Sequence, residues 1–516
     1  MSGIIYLSYT NKKINIMRPF EILTFVTLLF SLITLFLRKR YRWFVYVPGC
    51  IFFVVLCHVV FEGVRWQMIP IYAFATILFL ITLIKIFIAK RELTERLSLL
   101  KRILKISGIL ITFLLLILTL IPPLAIPMFK IPHPSGKFGV GSSILFFRDT
   151  TRIDEFSSEL NRFMELSVRV WYPASPGNRE KRLPYMQPNE ARYLAIYIKA
   201  PSFMLNHYNM IKTDSYFNAE PLKGPFPVIF YSPSGSIVDN TTLFQELASH
   251  GYIVLSIGHP YWNAFHYDEQ GQVIQFDVDD AHYKSLWEEE NSSEVIKTKE
   301  DITNAKDLQS KKEAQQMLNK HMPQEVADIR LWSGDISFLM NHIEDHALIQ
   351  GTFLENIDTS KVGVIGFSKG GAAAGQFCVS DNRCKAGINL SGFMFGDAAE
   401  KPFTQPFMIM ESVEPSCTDC DPICDLFYEN SLNAAYMVRI NDARHGNFTD
   451  FSLLGGINKL QGNIGPINGK RFLKIQNDYV LAFFNQYLKG ESSDLLNNTV
   501  QKYKEVIFKS KNTQSN

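Results

Sequence analysis

The stretch KVGVIGFSKGGAAA, residues 361–374, constrains the fold more than any other part of this 516-residue chain. A β-branched apolar run, Val362 to Ile365, meets Gly366-Phe367-Ser368-Lys369-Gly370 and then small residues suited to a helix. That pattern reads as strand, sharp turn, helix, with a serine at the apex. The glycines two residues either side are needed because the backbone turns too tightly for a nearby Cβ. Such a turn lifts the Ser368 hydroxyl clear of the sheet and aims the Lys369 N–H into the same space. Ser368 is therefore the candidate nucleophile. A chance G-x-S-x-G is the plain alternative, and the partners found downstream weigh against it.

The 47% hydrophobic content is spread unevenly, and the net charge of +2 gives no reason to expect a nucleic-acid partner. Four apolar runs come first, at residues 19–37, 43–61, 68–89 and 106–129. Each is about 19 residues or more, enough to cross a hydrocarbon layer of ~30 Å as a helix. Residues 1–130 therefore read as a membrane domain of four transmembrane helices. Basic residues crowd the first connection (Arg38, Lys39, Arg40, Arg42) and the third (Lys90 to Lys105), whereas the second has only Arg65. By the positive-inside rule, the rest of the chain falls on the extracytoplasmic side of a multi-pass cell-membrane protein. No paired charges inside the runs point to transport, so the bundle reads as an anchor.

Prolines at 122, 123, 127, 132 and 134 end the fourth run, and residues 131–150 read as a linker, with Gly139-Val140-Gly141 as a turn. Residues 151–500 alternate strand-like and helix-like segments, the pattern of a largely parallel α/β sheet flanked by helices. Residues 501–516 read as a polar tail. The apolar run 227–232 ends in Ser232-Pro233-Ser234-Gly235, a loop at the carboxyl end of a parallel strand, where ligand crevices form. Its backbone N–H groups at Ser234 or Gly235 are the natural second oxyanion donor beside Lys369, the alternative being a simple turn. Residues 262–330 are charged and polar, either a cap over the crevice or a surface insertion. Trp262, Phe265, Tyr267 and Trp287 in it are candidates for an apolar acyl wall. After the elbow come strands at 386–390, 406–410 and 434–440, the last followed by Arg444-His445-Gly446-Asn447. A histidine in that place, after the serine in chain order, is the candidate general base that takes the Ser368 proton and returns it to the leaving alcohol.

With these pieces in order, LASHGYIVLSIGHP (247–260), VGVIGFSKGGAA around Ser368, KAGINLSGFMF (385–395) and RHGNFTDF (444–451) resemble the platelet-activating factor acetylhydrolase family of α/β hydrolases. The resemblance implies an α/β-hydrolase fold and a metal- and cofactor-free serine esterase. It also implies short or modified acyl chains on phospholipids or similar lipophilic esters as substrates, as in a 1-alkyl-2-acetylglycerophosphocholine esterase. Two positions depart from the family pattern. The oxyanion loop usually reads Ser-His-Gly. The acid is usually an aspartate in a Leu-Asp segment, where this chain has Leu390-Ser391. Glu411, one strand later, is the candidate replacement acid, with Glu414, Asp419 and Asp421 behind it. Because Ser391 lacks a carboxylate, a catalytically weak binding or sensing domain stands as the alternative function. Cys417, Cys420 and Cys424 complete no tetrahedral zinc set, and a disulfide in that cluster or between Cys378 and Cys384 is the expectation for an extracytoplasmic domain.

Overall fold

A computed structural model describes residues 18–37, 46–88, 107, 113–115, 117–157, 161–177, 181–277, 281–413, 424–497 and 502–511. The chain forms two compact units, Met1–Phe129 and Lys130–Asn516.

In the first unit, helices α1 (Pro19–Leu37), α2 (Val47–Glu62) and α3 (Ile69–Ile88) pack around Leu28, Ile51, Val55, Phe74, Ala75 and Leu78. Among the described residues only Trp66–Ile84 is long and apolar enough to cross a membrane; Pro19–Ser31 and Gly49–Glu62 are shorter apolar helices. Much of the fourth run and both basic connections lie outside the described residues. The unit also holds paired charges that a scan for unbroken apolar runs passes over. Glu21, fully buried, takes Arg65 Nε at 2.8 Å and Arg18 at 2.8 Å. His58 lies between Arg18 at 3.1 Å and Tyr72 at 3.0 Å. These groups sit at helix ends, where three elements converge.

In the second unit, β1 (Gly139–Ile153), β2 (Phe163–Ala174), β3 (Arg182–Pro184), β4 (Lys212–Phe217) and β13 (Val506–Lys511) join six central strands in one mixed sheet of eleven described strands, ordered β13-β12-β11-β10-β9-β5-β6-β2-β1-β4-β3. β7 (Phe265–Tyr267) and β8 (Val273–Gln275) pair as a separate hairpin. The centre of the large sheet is parallel: β6 (Ile253–Gly258), β5 (Phe226–Ser232), β9 (Ile357–Phe367), β10 (Ala386–Leu390), β11 (Phe407–Val413) and β12 (Ala435–Asn441). Helices cover both faces of such strands, so β10 (AGINL) and β6 (IVLSIG) are buried along their whole length. The helix Gly469–Lys489 is capped by the Asn468 side chain and ended by Gly490 at φ +72°. Its stripe of Phe472, Ile475, Tyr479, Val480 and Phe483 faces the sheet. Phe484 lies so close to Gly363 that a Cβ there would sit 2.5 Å from its ring.

Two boundaries move. Residues 139–150 are not linker: β1 (Gly139–Ile153) pairs antiparallel with β2 (Phe163–Ala174). Gly141 is no turn but the place where the Tyr172 ring crosses the strand, 2.4 Å from any added Cβ. Nor are residues 506–511 tail. They form β13 (Val506–Lys511), antiparallel to β12, with Phe508 packed on Tyr436 and Tyr479. The first is held by the strand that follows it, and the second by a strand 65 or more positions earlier.

Two buried carboxyls tie the loop after β5 to the loop after β12. The Asp450 N–H donates to the Asp239 carbonyl at 2.7 Å, and the Asp450 carboxyl accepts from the Thr242 N–H at 3.2 Å. Tyr231 donates its hydroxyl to Asp239 at 2.8 Å. Burial pushes Asp239 up to about 8 and Asp450 up to about 7. A carboxyl raised in the folded state binds its proton more tightly there than when unfolded. Its stabilisation is therefore full at low pH and lost as pH rises through the folded value. Asp239→Asn keeps an acceptor for Tyr231 and removes the charge. Its melting temperature relative to the unmodified protein should climb by about 2 °C or more between pH 5 and pH 9. A pH-independent difference would contradict this account.

Candidate active site

Ser368 stands between β9 and the helix Lys369–Ser380, at φ +56° and ψ −125°. A left-handed serine is costly, of order 1–3 kcal/mol, and persists only where its surroundings over-determine it. Here they do. Its N–H donates to the Leu390 carbonyl at 3.0 Å, and its own carbonyl accepts from the Gly371 N–H at 2.8 Å. A Cβ at Gly366 would meet the Gly370 carbonyl at 1.7 Å, and one at Gly370 would meet the Ser232 carbonyl at 1.9 Å. The turn accepts only glycine at both places.

Ser368, Lys369, Ser234 and His445 line one cavity of about 440 Å³. Its far wall comes from the 262–330 insertion, which contributes Trp262, then Leu286 and Trp287 of the helix Ala281–Glu290, and Glu325 of the helix Pro323–Glu344. Phe393 and Phe395, with Met322 and Trp332, add to the apolar lining. Phe265 and Tyr267 are not part of it. Both are buried in the core, and the Tyr267 hydroxyl is bonded to Glu190. In a strand the side chain that packs inward is not the one that reaches the crevice.

Lys369 does more than follow the serine. Its ammonium is bonded to Glu325 at 2.8 Å and Asp328 at 2.7 Å, and lies over the rings of Trp332 (5.4 Å) and Trp262 (5.7 Å). Burial pulls its pKa down, but the two carboxylates outweigh that and hold it above the ordinary lysine value. Asp328 also accepts from Trp262 Nε1 at 2.9 Å and meets His282 Nε2 at 2.9 Å. One buried carboxylate thus joins the elbow to two elements of the insertion, a role that sequence reading missed because its partners lie 41 to 66 positions away.

His445 opens a short turn after β12, stacked on Phe367 with ring centroids 4.8 Å apart. Its Nδ1 lies 3.0 Å from Ser391 Oγ. Ser391 itself has φ +53°, and the loop after it is closed by the Gly392 N–H bonded to Asn389 at 2.7 Å. Glu411, expected as the acid, is not brought to the histidine. The parallel register sets it directly opposite Arg439, whose Nε its carboxylate accepts. It is buried and neutralised there. Glu414, Asp419, Asp421, Cys417 and Cys420 lie outside the described residues. Cys378 and Cys384 form a disulfide between the end of the elbow helix and the start of β10.

Among the described residues, the group of His, Cys, Asp and Glu close enough to hold a metal ion is Glu21, His58 and Glu62, in the first unit. Arg18 and Arg65 already occupy those carboxylates.

Ser391 Oγ lies 3.0 Å from His445 Nδ1, so a carboxylate placed at position 391 would reach the imidazole. Ser391→Asp, whose side chain tolerates the left-handed backbone, is expected to raise kcat for an ester substrate. It should also move the acid limb of kcat/KM to higher pH by about one unit, because a carboxylate favours the imidazolium. Glu411→Gln should leave kcat within about threefold while lowering thermal stability, since it removes the buried charge that faces Arg439 and leaves that guanidinium to Asp425 at 3.5 Å. A large loss of kcat in Glu411→Gln with stability intact would return the acid role to it.

The family described as platelet-activating factor acetylhydrolase, isoform II, matches residues 125–507. A probable 1-alkyl-2-acetylglycerophosphocholine esterase of Arthroderma benhamiae is 23% identical over 422 residues, 74% of this chain and 94% of its own. The platelet-activating factor acetylhydrolase of Cavia porcellus is 26% identical over 380 residues, 69% of this chain and 78% of its own. Among solved structures, a ferulic acid esterase from Streptomyces cinnamoneus superposes with a TM-score of 0.57 at 21% identity, over 74% of this chain and 99% of that one. At that identity the likeness speaks for the shared fold alone.

Proposed function

The chain belongs to the platelet-activating factor acetylhydrolase, isoform II, family and is an ester hydrolase, and from that premise we propose that it is a membrane-anchored serine esterase acting on short or modified acyl chains of phospholipids or similar lipophilic esters. The observation that carries the reading is the strained Ser368 lining one cavity with His445 and the Ser234 loop. In this mechanism Ser368 Oγ attacks the ester carbonyl while His445 takes its proton. The oxyanion that forms is met by the Lys369 N–H and an N–H of the Ser234–Gly235 loop. The tetrahedral intermediate collapses as His445 protonates the leaving alcohol, and water then releases the acyl group by the same steps in reverse. The Nδ1 proton of His445 is oriented by Ser391. The earlier alternative of a binding or sensing domain gives way to the ester-hydrolase assignment.

The names of the relatives support a glycerophosphocholine or other lipid ester as substrate. An aromatic cavity of this size supports a compact acyl group, within the usual ~300–1,000 Å³ of small-molecule sites. Anchoring through four helices rests on the hydropathy of the four runs together with the apolar helices α1 to α3. An extracytoplasmic location of the catalytic unit rests on the distribution of basic residues and agrees with the Cys378–Cys384 disulfide.

A fluorophosphonate probe should label the full-length protein and not Ser368→Ala, and that variant should lose ester turnover by on the order of 10³ or more. Absence of labelling in folded protein would defeat the nucleophile assignment. Protease added to intact cells should cleave the catalytic unit; complete protection, with cleavage after permeabilisation, would reverse the topology.

A further inference from the structure

Behind the crevice lies a second serine, histidine and aspartate chain that touches no solvent. Ser232 Oγ is 2.8 Å from His259 Nε2, and His259 Nδ1 is 2.8 Å from Asp335 Oδ2. Arg152 closes the chain with an ion pair to the other Asp335 oxygen at 2.9 Å. His259 is fully buried and stacked flat on Trp332, centroids 4.1 Å apart and planes 5° apart. Nothing so enclosed can attack a substrate. A carboxylate only accepts, so Nδ1 carries the proton toward Asp335 and Nε2 of the neutral ring accepts from the Ser232 hydroxyl. Burial holds His259 below its ordinary value against the pull of Asp335, in keeping with that tautomer.

The chain ends at Ser232, the last residue of β5, from which the loop that carries the second oxyanion donor departs. The segment continuing from His259 grips the same loop twice more. Asn263 accepts the His259 N–H at 2.7 Å and donates Nδ2 to the Ser234 carbonyl at 3.2 Å. The Ala264 N–H donates to the Gly235 carbonyl at 2.8 Å. In a trans peptide the Ser234 carbonyl and the Gly235 N–H lie in one plane and point opposite ways. A hydrogen bond on that carbonyl therefore sets where the N–H is aimed. A Cβ at Gly235 would meet open space, so packing at that position does not set the direction. Its backbone hydrogen bonds must.

We propose that the Arg152–Asp335–His259–Ser232 relay, continued through Asn263, is the positioning device that aims the second oxyanion donor, making His259 and Asn263 positioning residues for the reaction. The inference rests on the reading of Ser368 as nucleophile and of the Ser234–Gly235 loop as donor. It also accounts for a loop that departs from the usual Ser-His-Gly. Held from behind at three points, its backbone does not depend on the side chain at 233.

The test uses full-length protein in detergent, with active sites counted by fluorophosphonate titration. Two variants change little volume: Ser232→Ala removes one hydroxyl, and Asn263→Asp keeps the acceptor for His259 but loses the donor to Ser234. In each, kcat per titrated site should fall on the order of tenfold with KM within twofold. Affinity for a trifluoromethyl ketone, whose adduct carries the oxyanion, should fall by the same factor. Each variant leaves a buried polar group unpaired and so lowers the melting temperature, but the acid limb of the pH profile should stay put. It is the matched loss of kcat per titrated site and of ketone affinity that a merely structural role would not produce. The Ser232→Ala/Asp335→Asn pair should be no worse than its weaker member, because both break one relay. Normal kcat and ketone affinity in the variants, beside a labelled unmodified protein, would overturn the inference alone. An unlabelled unmodified protein would overturn the nucleophile reading and this inference together.

Discussion

Everything at the crevice depends on a backbone folded on itself around Ser368. Three carbonyls press where side chains would otherwise begin: that of Gly370 against Gly366, that of Ser232 against Gly370, and that of Ser368 against Gly392, 2.1 Å from an added Cβ. The parallel register makes these approaches possible by ending β5, β9 and β10 at the same level, with Ser232 opposite Gly366 and Leu390 opposite Phe367. The serine is strained because the strands leave it no other path. The strain is what presents its hydroxyl to the cavity.

Around that turn the polar groups fall into two sets with different tasks. Lys369, Glu325 and Asp328 form a buried ionic cluster that joins the elbow to the insertion. Such clusters add little net stability once desolvation is counted, but removing one partner is costly. They therefore act as a geometric constraint more than as glue, and here the constraint fixes the cavity's far wall. Arg152, Asp335, His259 and Ser232 form the other set, behind the loop after β5. The first set shapes where a substrate can lie, and the second shapes the backbone that would meet its oxygen.

Much was legible in the sequence where the signal is local. The elbow, the strands at 227–232 and 386–390, and the turn at His445 all announce themselves through short apolar runs bounded by glycine or proline. Edge elements were not legible in the same way. β13 looks like a polar tail because an edge strand buries only one face, and its partner β12 lies 65 or more positions earlier in the sequence. β1, which lies between β2 and β4, reads as linker for a different reason: glycines at 139 and 141 signal a turn unless Tyr172 is known to lie across them. In the first unit the paired charges escaped because a hydropathy window averages over helix ends, where Glu21, His58 and Arg65 meet.

What the sequence by itself determined is the chemistry on offer: a serine that must sit on a strand-to-helix turn, a histidine in a late loop, and no aspartate at position 391. These follow from residue type and short spacing, which the chain carries locally. What only the tertiary structure decided is which of these groups meet. Glu411 had the right residue type at a strand end, but the register of β11 against β12 gives it to Arg439. His259 and Asp335 gave no local signal, since 76 positions separate them and only the packing of the helix Pro323–Glu344 against the sheet joins them. Register and packing are non-local, and they decide how a side chain with several possible partners is used.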